Sequence, residues 1–216
     1  MIMGKYVKRL FDLLLAVILF VPALMVLLCG ILLVCIVSPG SSPIFKQVRV
    51  GYKGKHFTLY KLRSMTNECD ENGVLLPDEV RLKTWGKIIR KTNIDELFQI
   101  WNIVKGEMSW IGPRPILPAE MLVMTEAEQR ERQSMRPGIT GWEAVHEGES
   151  ENRRQMAEFD LYYVRNWSLG LDWKVFCKTL AIVFGMQRPD DSVRAPKVQE
   201  SDIHSDKEIG EEDGNR

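Results

Sequence analysis

Hydrophobic and polar positions follow different periods in different stretches of the chain, and those periods divide it. From Leu13 to Val37 there are 25 residues without a charge. As a helix rising ~1.5 Å per residue they reach roughly 37 Å, enough to cross a hydrocarbon layer of ~30 Å. The run outlasts the ~7 to 15 apolar residues of a signal-peptide core, and no small-x-small cleavage site follows it. Lys5, Lys8 and Arg9 precede the run and Lys46, Arg49, Lys53 and Lys55 follow it, so the positive-inside preference keeps both flanks on the cytoplasmic side. Pro22, which lacks an N–H and clashes with the preceding turn, is expected to break the helix and send the chain out by the leaflet it entered. The competing reading is a mild kink in an ordinary spanning anchor.

Ser38-Pro39-Gly40-Ser41-Ser42-Pro43 ends the helical pattern. Ile44–Val50 and His56–Met65, separated by Gly51-Tyr52-Lys53-Gly54-Lys55, predict a two-stranded element. A helix is expected from Asp78 to Lys91, with Val80, Trp85, Ile88 and Ile89 apolar among basic residues, suited to a membrane surface or to inward packing. Another begins at Asn93, with Leu97, Ile100, Trp101 and Val104 on one buried face, and Gly106 stops it. Helical patterns resume at Leu117–Ser134, Glu151–Asn166 and Ser168–Met186, the last with Ser168 as N-cap. The predicted class is α+β and mainly helical: an anchor at 1–38, one catalytic domain at 39–188, and a polar, acidic, disordered tail at 189–216.

The formal net charge is zero, but residues 190–216 hold nine acids against four bases, which leaves 25 bases and 20 acids in residues 1–189. That excess favours phosphates or lipid headgroups as partners; nucleic acid is not expected among them. Cys29, Cys35, Cys69 and Cys177 show no CxxC spacing and are read as reduced, packed thiols. No GxxxxGK[ST] or GxGxxG motif occurs, and His56, His146 and His204 lack metal spacing.

Candidate chemistry concentrates at Thr92-Asn93-Ile94-Asp95-Glu96-Leu97. One reading is structural: Asn93 caps the helix with Glu96 at its third position, and acids oppose the helix dipole. The other is catalytic, since a carboxylate can attack phosphorus to give an acyl phosphate and a second acid can bind metal or handle a proton. Phosphoryl chemistry then requires cations. Lys61 and Arg63 alternate with Leu62 and are expected on one strand face. Arg90 lies just upstream of the acids, Arg114 stands between two prolines that restrict its backbone, and Arg136 opens a third turn, Arg136-Pro137-Gly138.

Lys61-Leu62-Arg63-Ser64-Met65, Ile94-Asp95-Glu96-Leu97 with Gln99, Trp101-Asn102, Lys105-Gly106-Glu107-Met108-Ser109, Gly112-Pro113-Arg114-Pro115 and Arg136-Pro137-Gly138-Ile139-Thr140-Gly141-Trp142 together resemble the bacterial sugar transferases, the small monotopic phosphoglycosyl transferases. The resemblance runs from about Lys8 to Met186. It implies a re-entrant helix entering the inner membrane from the cytoplasm, surface-lying amphipathic helices and a two-step reaction. In that reaction the residue matching Asp95 attacks the β-phosphate of a UDP-sugar, UMP departs, and undecaprenyl (polyprenyl) phosphate takes the phosphosugar. Glu96 matches the second acid of the dyad, Lys61, Arg90 and Arg114 match basic positions around the phosphates, and magnesium at Asp95 is the implied cofactor. A homo-oligomer or downstream glycosyltransferases would be further partners.

Two departures stand out. The family usually breaks its membrane helix at a Ser-Pro pair further from its Phe-Asp pair, whereas here Pro22 follows Val21 and lies ten residues after Asp12. Many members continue after Gly-Trp with Ala-Gln-Val-Asn-Gly-Arg-Asn, but this chain reads Glu143-Ala144-Val145-His146-Glu147-Gly148-Glu149 and lacks that arginine; Arg153 or Arg154 would have to replace it. Competing functions are an idle membrane scaffold that recruits other enzymes, and a glycosidase using Asp95 and Glu96. Adjacent acids suit a glycosidase poorly, because such enzymes flank the bond with carboxyl groups ~5 Å or more apart.

Overall fold

The computed structural model describes residues 2–146 and 152–185. The tail at 189–216, Met186, and the stretch through Glu147, Gly148, Glu149 and Glu151 lie outside the described residues.

Helix α1 runs from Ile2 to Val37 with Pro22 inside it. The interruption expected at Pro22 is therefore absent from the helix. Proline removes one backbone hydrogen bond at a cost of ~3 kcal/mol, and an unbroken apolar run packed along one side offsets a single defect of that size. Lys8, Asp12, Ala16, Ala23, Leu27 and Val34 form the buried stripe, spaced by four and seven residues, while Val17, Ile18, Val21, Leu24, Met25, Leu28 and Leu32 are exposed on other faces. Ala16 and Ala23 pack with Phe57, Leu59, Ile100, Ile103 and Met108. Further along, Val34 packs with Leu62 and Ile89, flanked by Ile31, Trp85, Ile94 and Phe98. The first turns are tied down by polar contacts: Lys8 Nζ to Asp172 at 2.8 Å, Ser109 Oγ to Asp12 at 2.9 Å and Arg9 Nη2 to the Ile103 carbonyl at 2.8 Å. Both ends of α1 thus rest on one domain, although Lys8 and Val34 are separated by roughly 39 Å of helix.

Strands β1 (Ile44–Val50) and β2 (His56–Leu62) pair antiparallel, with Phe45 opposite Lys61 and Arg49 opposite Phe57. Their connection turns through Lys53 in the left-handed region at φ 55. The expected helix over Asp78–Lys91 is two, α2 (Asp78–Arg81) and α3 (Thr84–Lys91). Gly86 brings α3 close against the end of β2, for a Cβ there would collide with the Ser64 carbonyl. A 3-10 turn, Ile94–Phe98, leads into α4 (Gln99–Lys105), which Gly106 ends at φ 82.

The expected buried face of α4 is corrected. Ile100 and Ile103 are buried, whereas Trp101 and Val104 are exposed. The tighter 3-10 turn holds Leu97, so counting α-helical spacing from that residue gives the wrong phase.

Strand β3 (Ser109–Ile111) pairs parallel with β4 (Gly138–Thr140). Between them lie a 3-10 turn, Pro118–Val123, and α5 (Glu126–Arg132), which starts at a Thr125–Glu128 capping box and so divides the helix expected over Leu117–Ser134. Helix α6 (Arg153–Arg165) is capped by Asn152. Helix α7 (Leu169–Val183) is capped by Ser168, as the sequence predicts. All four cysteines are free, and they are exposed rather than packed.

Candidate active site

The 3-10 turn Ile94–Phe98 carries the two acids, and its apolar ends fix where they sit. Ile94 and Phe98 pack against the cluster formed by Val34 of α1, Leu62 of β2 and Ile89 of α3. Asp95 is 7% exposed, and Glu96 is half-buried. The capping arrangement is absent. Asn93 lies in the left-handed region at φ 53 and makes no side-chain cap hydrogen bond. Glu96 instead turns to Lys61, whose Nζ lies 2.8 Å from Glu96 Oε1 and 3.9 Å from Asp95 Oδ2. The capping part of the structural reading therefore fails, while both acids remain in the first turn.

Burial pushes the Asp95 carboxyl above its ordinary value; Lys61 pulls it down, Glu96 pushes it further up, and the Asp95 backbone N–H and Arg90 pull it down. Arg90, at the end of α3, is held by Ser64, with Nε to Oγ at 2.9 Å. Lys61 and Arg90 are therefore the cations assembled around the dyad.

The other three predicted cations go elsewhere. Strand β2 ends at Leu62, so Arg63 leaves the face that carries Lys61 and binds the Ser42 carbonyl and Asn67 Oδ1. Arg136 donates to the Gly106 carbonyl at 2.8 Å and lies 5.0 Å over the Tyr52 ring. Arg114 belongs to a second charged group, with Nη1 3.6 Å from Glu143 Oε1. Nearby, Arg49 donates to the Pro115 carbonyl and lies 3.6 Å from Glu120, which also pairs with Arg153. Arg154 pairs with Glu128 at 2.7 Å.

Sequence reading missed Ser64 as the partner of Arg90, although it stands in the Lys-Leu-Arg-Ser-Met motif. It also treated Lys8 and Arg9 only as flanking charge and Asp12 as a landmark. The available signal was that Asp12 is the one acid in α1, standing at the edge of the charge-free run that starts at Leu13.

No group of three or more His, Cys, Asp or Glu that could hold a metal occurs among the described residues. Asp95 and Glu96 nevertheless fit magnesium, which binds through one or two carboxylates and substrate phosphates and keeps several waters.

Acids turned from capping toward a lysine, on a turn seated against a long apolar helix, define the charged site of this chain. The chain belongs to the bacterial sugar transferase family, which matches residues 3–186. It is 46% identical over 173 residues to the uncharacterized sugar transferase EpsL of Bacillus subtilis, covering 80% of this chain and 85% of that one. It is 38% identical over 192 residues to the UDP-N-acetylgalactosamine-undecaprenyl-phosphate N-acetylgalactosaminephosphotransferase of Aeromonas hydrophila, covering 82% of this chain and 44% of the relative. Against the UDP-glucose:undecaprenyl-phosphate glucose-1-phosphate transferase of Escherichia coli the identity is 35% over 188 residues, 82% of this chain and 40% of the other. The chain thus spans most of the Bacillus relative and less than half the length of the other two.

Proposed function

We propose that the protein transfers a sugar-1-phosphate from a UDP-sugar to undecaprenyl phosphate, releasing UMP, through a covalent intermediate on Asp95. The observation that carries this reading is the buried Asp95, 3.9 Å from Lys61 and beside Glu96, on a turn seated against α1. The printed names of the Aeromonas and Escherichia relatives support a UDP-sugar donor and an undecaprenyl-phosphate acceptor.

In the first step an oxygen of ionised Asp95 forms a bond to the β-phosphorus. The bond from that phosphorus to the bridging oxygen breaks, and its electron pair leaves with UMP. In the second step a phosphate oxygen of the lipid attacks the same phosphorus, and the carboxylate is released as the leaving group. Catalysis of such a displacement is chiefly positioning and charge neutralisation. Lys61 and Arg90 supply positive charge at the dyad, Glu96 holds Lys61 in place, and Arg114, in the second charged group, is assigned to donor phosphate by the family resemblance. Magnesium, held by Asp95 and the donor's oxygens, would add charge neutralisation there. Burial disfavours the ionised Asp95 that the attack requires, and the cations offset this.

The packing of α1 supports one membrane arrangement. A helix whose two ends rest on one domain cannot cross ~30 Å of hydrocarbon without carrying that domain in with it. We read α1 as attached to one leaflet of the inner membrane, with the catalytic domain on the cytoplasmic side and the exposed apolar faces in lipid. The acceptor's lipid phosphate then meets Asp95 at the membrane surface.

The deciding experiment incubates detergent-solubilised protein with magnesium, undecaprenyl phosphate and a panel of UDP-sugars and measures UMP. Release with at least one donor, abolished by Asp95→Asn, is expected, together with a phosphosugar adduct on Asp95 by mass spectrometry. Inertness with every donor would favour a scaffold, and free sugar without lipid product would favour a hydrolase.

A further inference from the structure

Arg114 sits outside regular secondary structure, yet both of its backbone polar groups are taken. Its N–H donates to Asp160 Oδ1 at 3.1 Å, and its carbonyl accepts from Arg132 Nη2. Asp160 and Arg132 also pair with each other, Nε to Oδ2 at 3.0 Å and Nη2 to Oδ2 at 2.6 Å. Both side chains are buried, at 3% and 4% exposure. They come from α5 and α6, so two helices close on one residue of an irregular segment.

A buried ion pair contributes little to stability compared with an apolar pair of the same volume. Its placement around a single backbone unit calls for another reason. Pro113 and Pro115 already restrict the chain on either side. The clamp fixes what they leave free, so the Cα–Cβ direction of Arg114 is set. The side chain itself is 47% exposed and leans toward Glu143, which is 3% exposed. The result is a guanidinium with a fixed root and a partly exposed side chain.

We propose that Asp160 and Arg132 are positioning residues for donor binding: they hold the Arg114 backbone so that its planar fork is already aimed at the phosphates of a nucleoside-diphosphate sugar. This rests on the reading of Arg114 as a phosphate-binding group given above. The physical gain is preorganisation. An arginine on a loose loop must be ordered when the anion arrives, and that cost is subtracted from affinity. Both side chains are too buried to reach a bound donor, so their loss is expected to act through Arg114.

A double-mutant cycle tests this on the full chain in detergent, with UDP as the probe ligand and calorimetry as the readout. Arg114→Ala is expected to weaken UDP binding about tenfold to a hundredfold, the range for a hydrogen bond to a charged group. Arg132→Lys keeps the charge beside Asp160 but loses the fork that reaches the Arg114 carbonyl. It is expected to weaken binding about three- to tenfold, the cost of ordering one long side chain. Asp160→Asn is expected to do the same. In the Arg114→Ala background either change should alter UDP affinity by less than about twofold. In turnover assays the clamp variants should raise KM for the donor and leave kcat within about twofold, as for a loss of uniform binding.

Equal losses in both backgrounds, or wild-type binding by the clamp variants, would overturn the proposal and leave the pair a structural one. Wild-type binding by Arg114→Ala would instead remove the phosphate-binding reading of Arg114 itself. Arg132→Lys carries the test if Asp160→Asn fails to fold, with near-UV circular dichroism as the check on both.

Discussion

The two ends of α1 meet the same domain by opposite means. At the N-terminal end the contacts are polar: Asp172 accepts from Lys8 at 2.8 Å, from Tyr163 at 2.5 Å and from Trp167 at 3.2 Å, while Asp12 accepts from Ser109 and from the Trp110 N–H. At the C-terminal end they are apolar, with Ile31 and Val34 against Leu62, Ile89, Ile94 and Phe98. Hydrogen bonds have direction and a buried unpaired charge is costly, so the polar end fixes rotation and register. Apolar burial is non-directional and tolerates small shifts. The dyad sits at the tolerant end, which places the control of its register far away along the helix.

The largest expected effect separates the chemistry from both attachments. Asp95→Asn should reduce UMP release by about a thousandfold or more, as for loss of a nucleophile, with the thermal midpoint in detergent nearly unchanged. A large fall in that midpoint would mean that Asp95 holds the fold rather than performs the reaction. Next comes the polar end. Lys8→Met leaves Asp172 buried without its cation and should cost about 3–5 kcal/mol, measured by denaturant unfolding, while Lys8→Met with Asp172→Asn should recover much of it. A cost below about 1 kcal/mol would show the polar end to be no latch.

The third effect concerns pH. Burial holds Asp95 above 3.8 and Lys61 is the strongest influence lowering it. The activity that depends on ionised Asp95 should therefore appear at a pH above that ordinary value, and Lys61→Met should move the acidic limb of kcat/KM higher still. Because the folded value is raised, ionising Asp95 lowers stability as pH climbs from 3.8 through that folded value. An acidic limb that stays put in Lys61→Met would remove the lysine from the site. The smallest effect is at the apolar end. A Cβ on Gly30 would meet Leu62 Cδ2 at 2.7 Å. Gly30→Ala should gain about 1 kcal/mol in helix propensity and lose about 1–3 in overpacking, for a net loss below about 2. Activity in this variant reports how much displacement the dyad tolerates.

Local periodicity made much of this fold legible. The hairpin followed from alternation and its breaker residues, the start of α7 from its polar cap, and the end of α4 from Gly106. What failed was phase and distance. Leu97 belongs to a 3-10 turn, so Trp101 and Val104 came out exposed; Arg63 fell one residue past the end of β2 and so left the face of Lys61. The capping motif at Asn93 and Glu96 could not be told from a catalytic pair in sequence, because the choice rests on Lys61, 35 residues away. The pairing of Lys8 with Asp172 spans 164 residues and leaves no local trace. Within the site, Lys61, Arg90, Asp95 and Glu96 were legible as types from the residues themselves, and their meeting only through the family resemblance.

The seat of Ile94 and Phe98 on α1 has a practical result. Deleting the apolar helix to obtain a water-soluble protein would take away the floor beneath the reacting turn and bare Leu62 and Ile89 to solvent. A truncated form should therefore be an unfaithful substitute for the whole chain, whether as a crystallisation target or in an inhibitor screen, since α1 is part of the packing that seats the turn of Asp95 and Glu96.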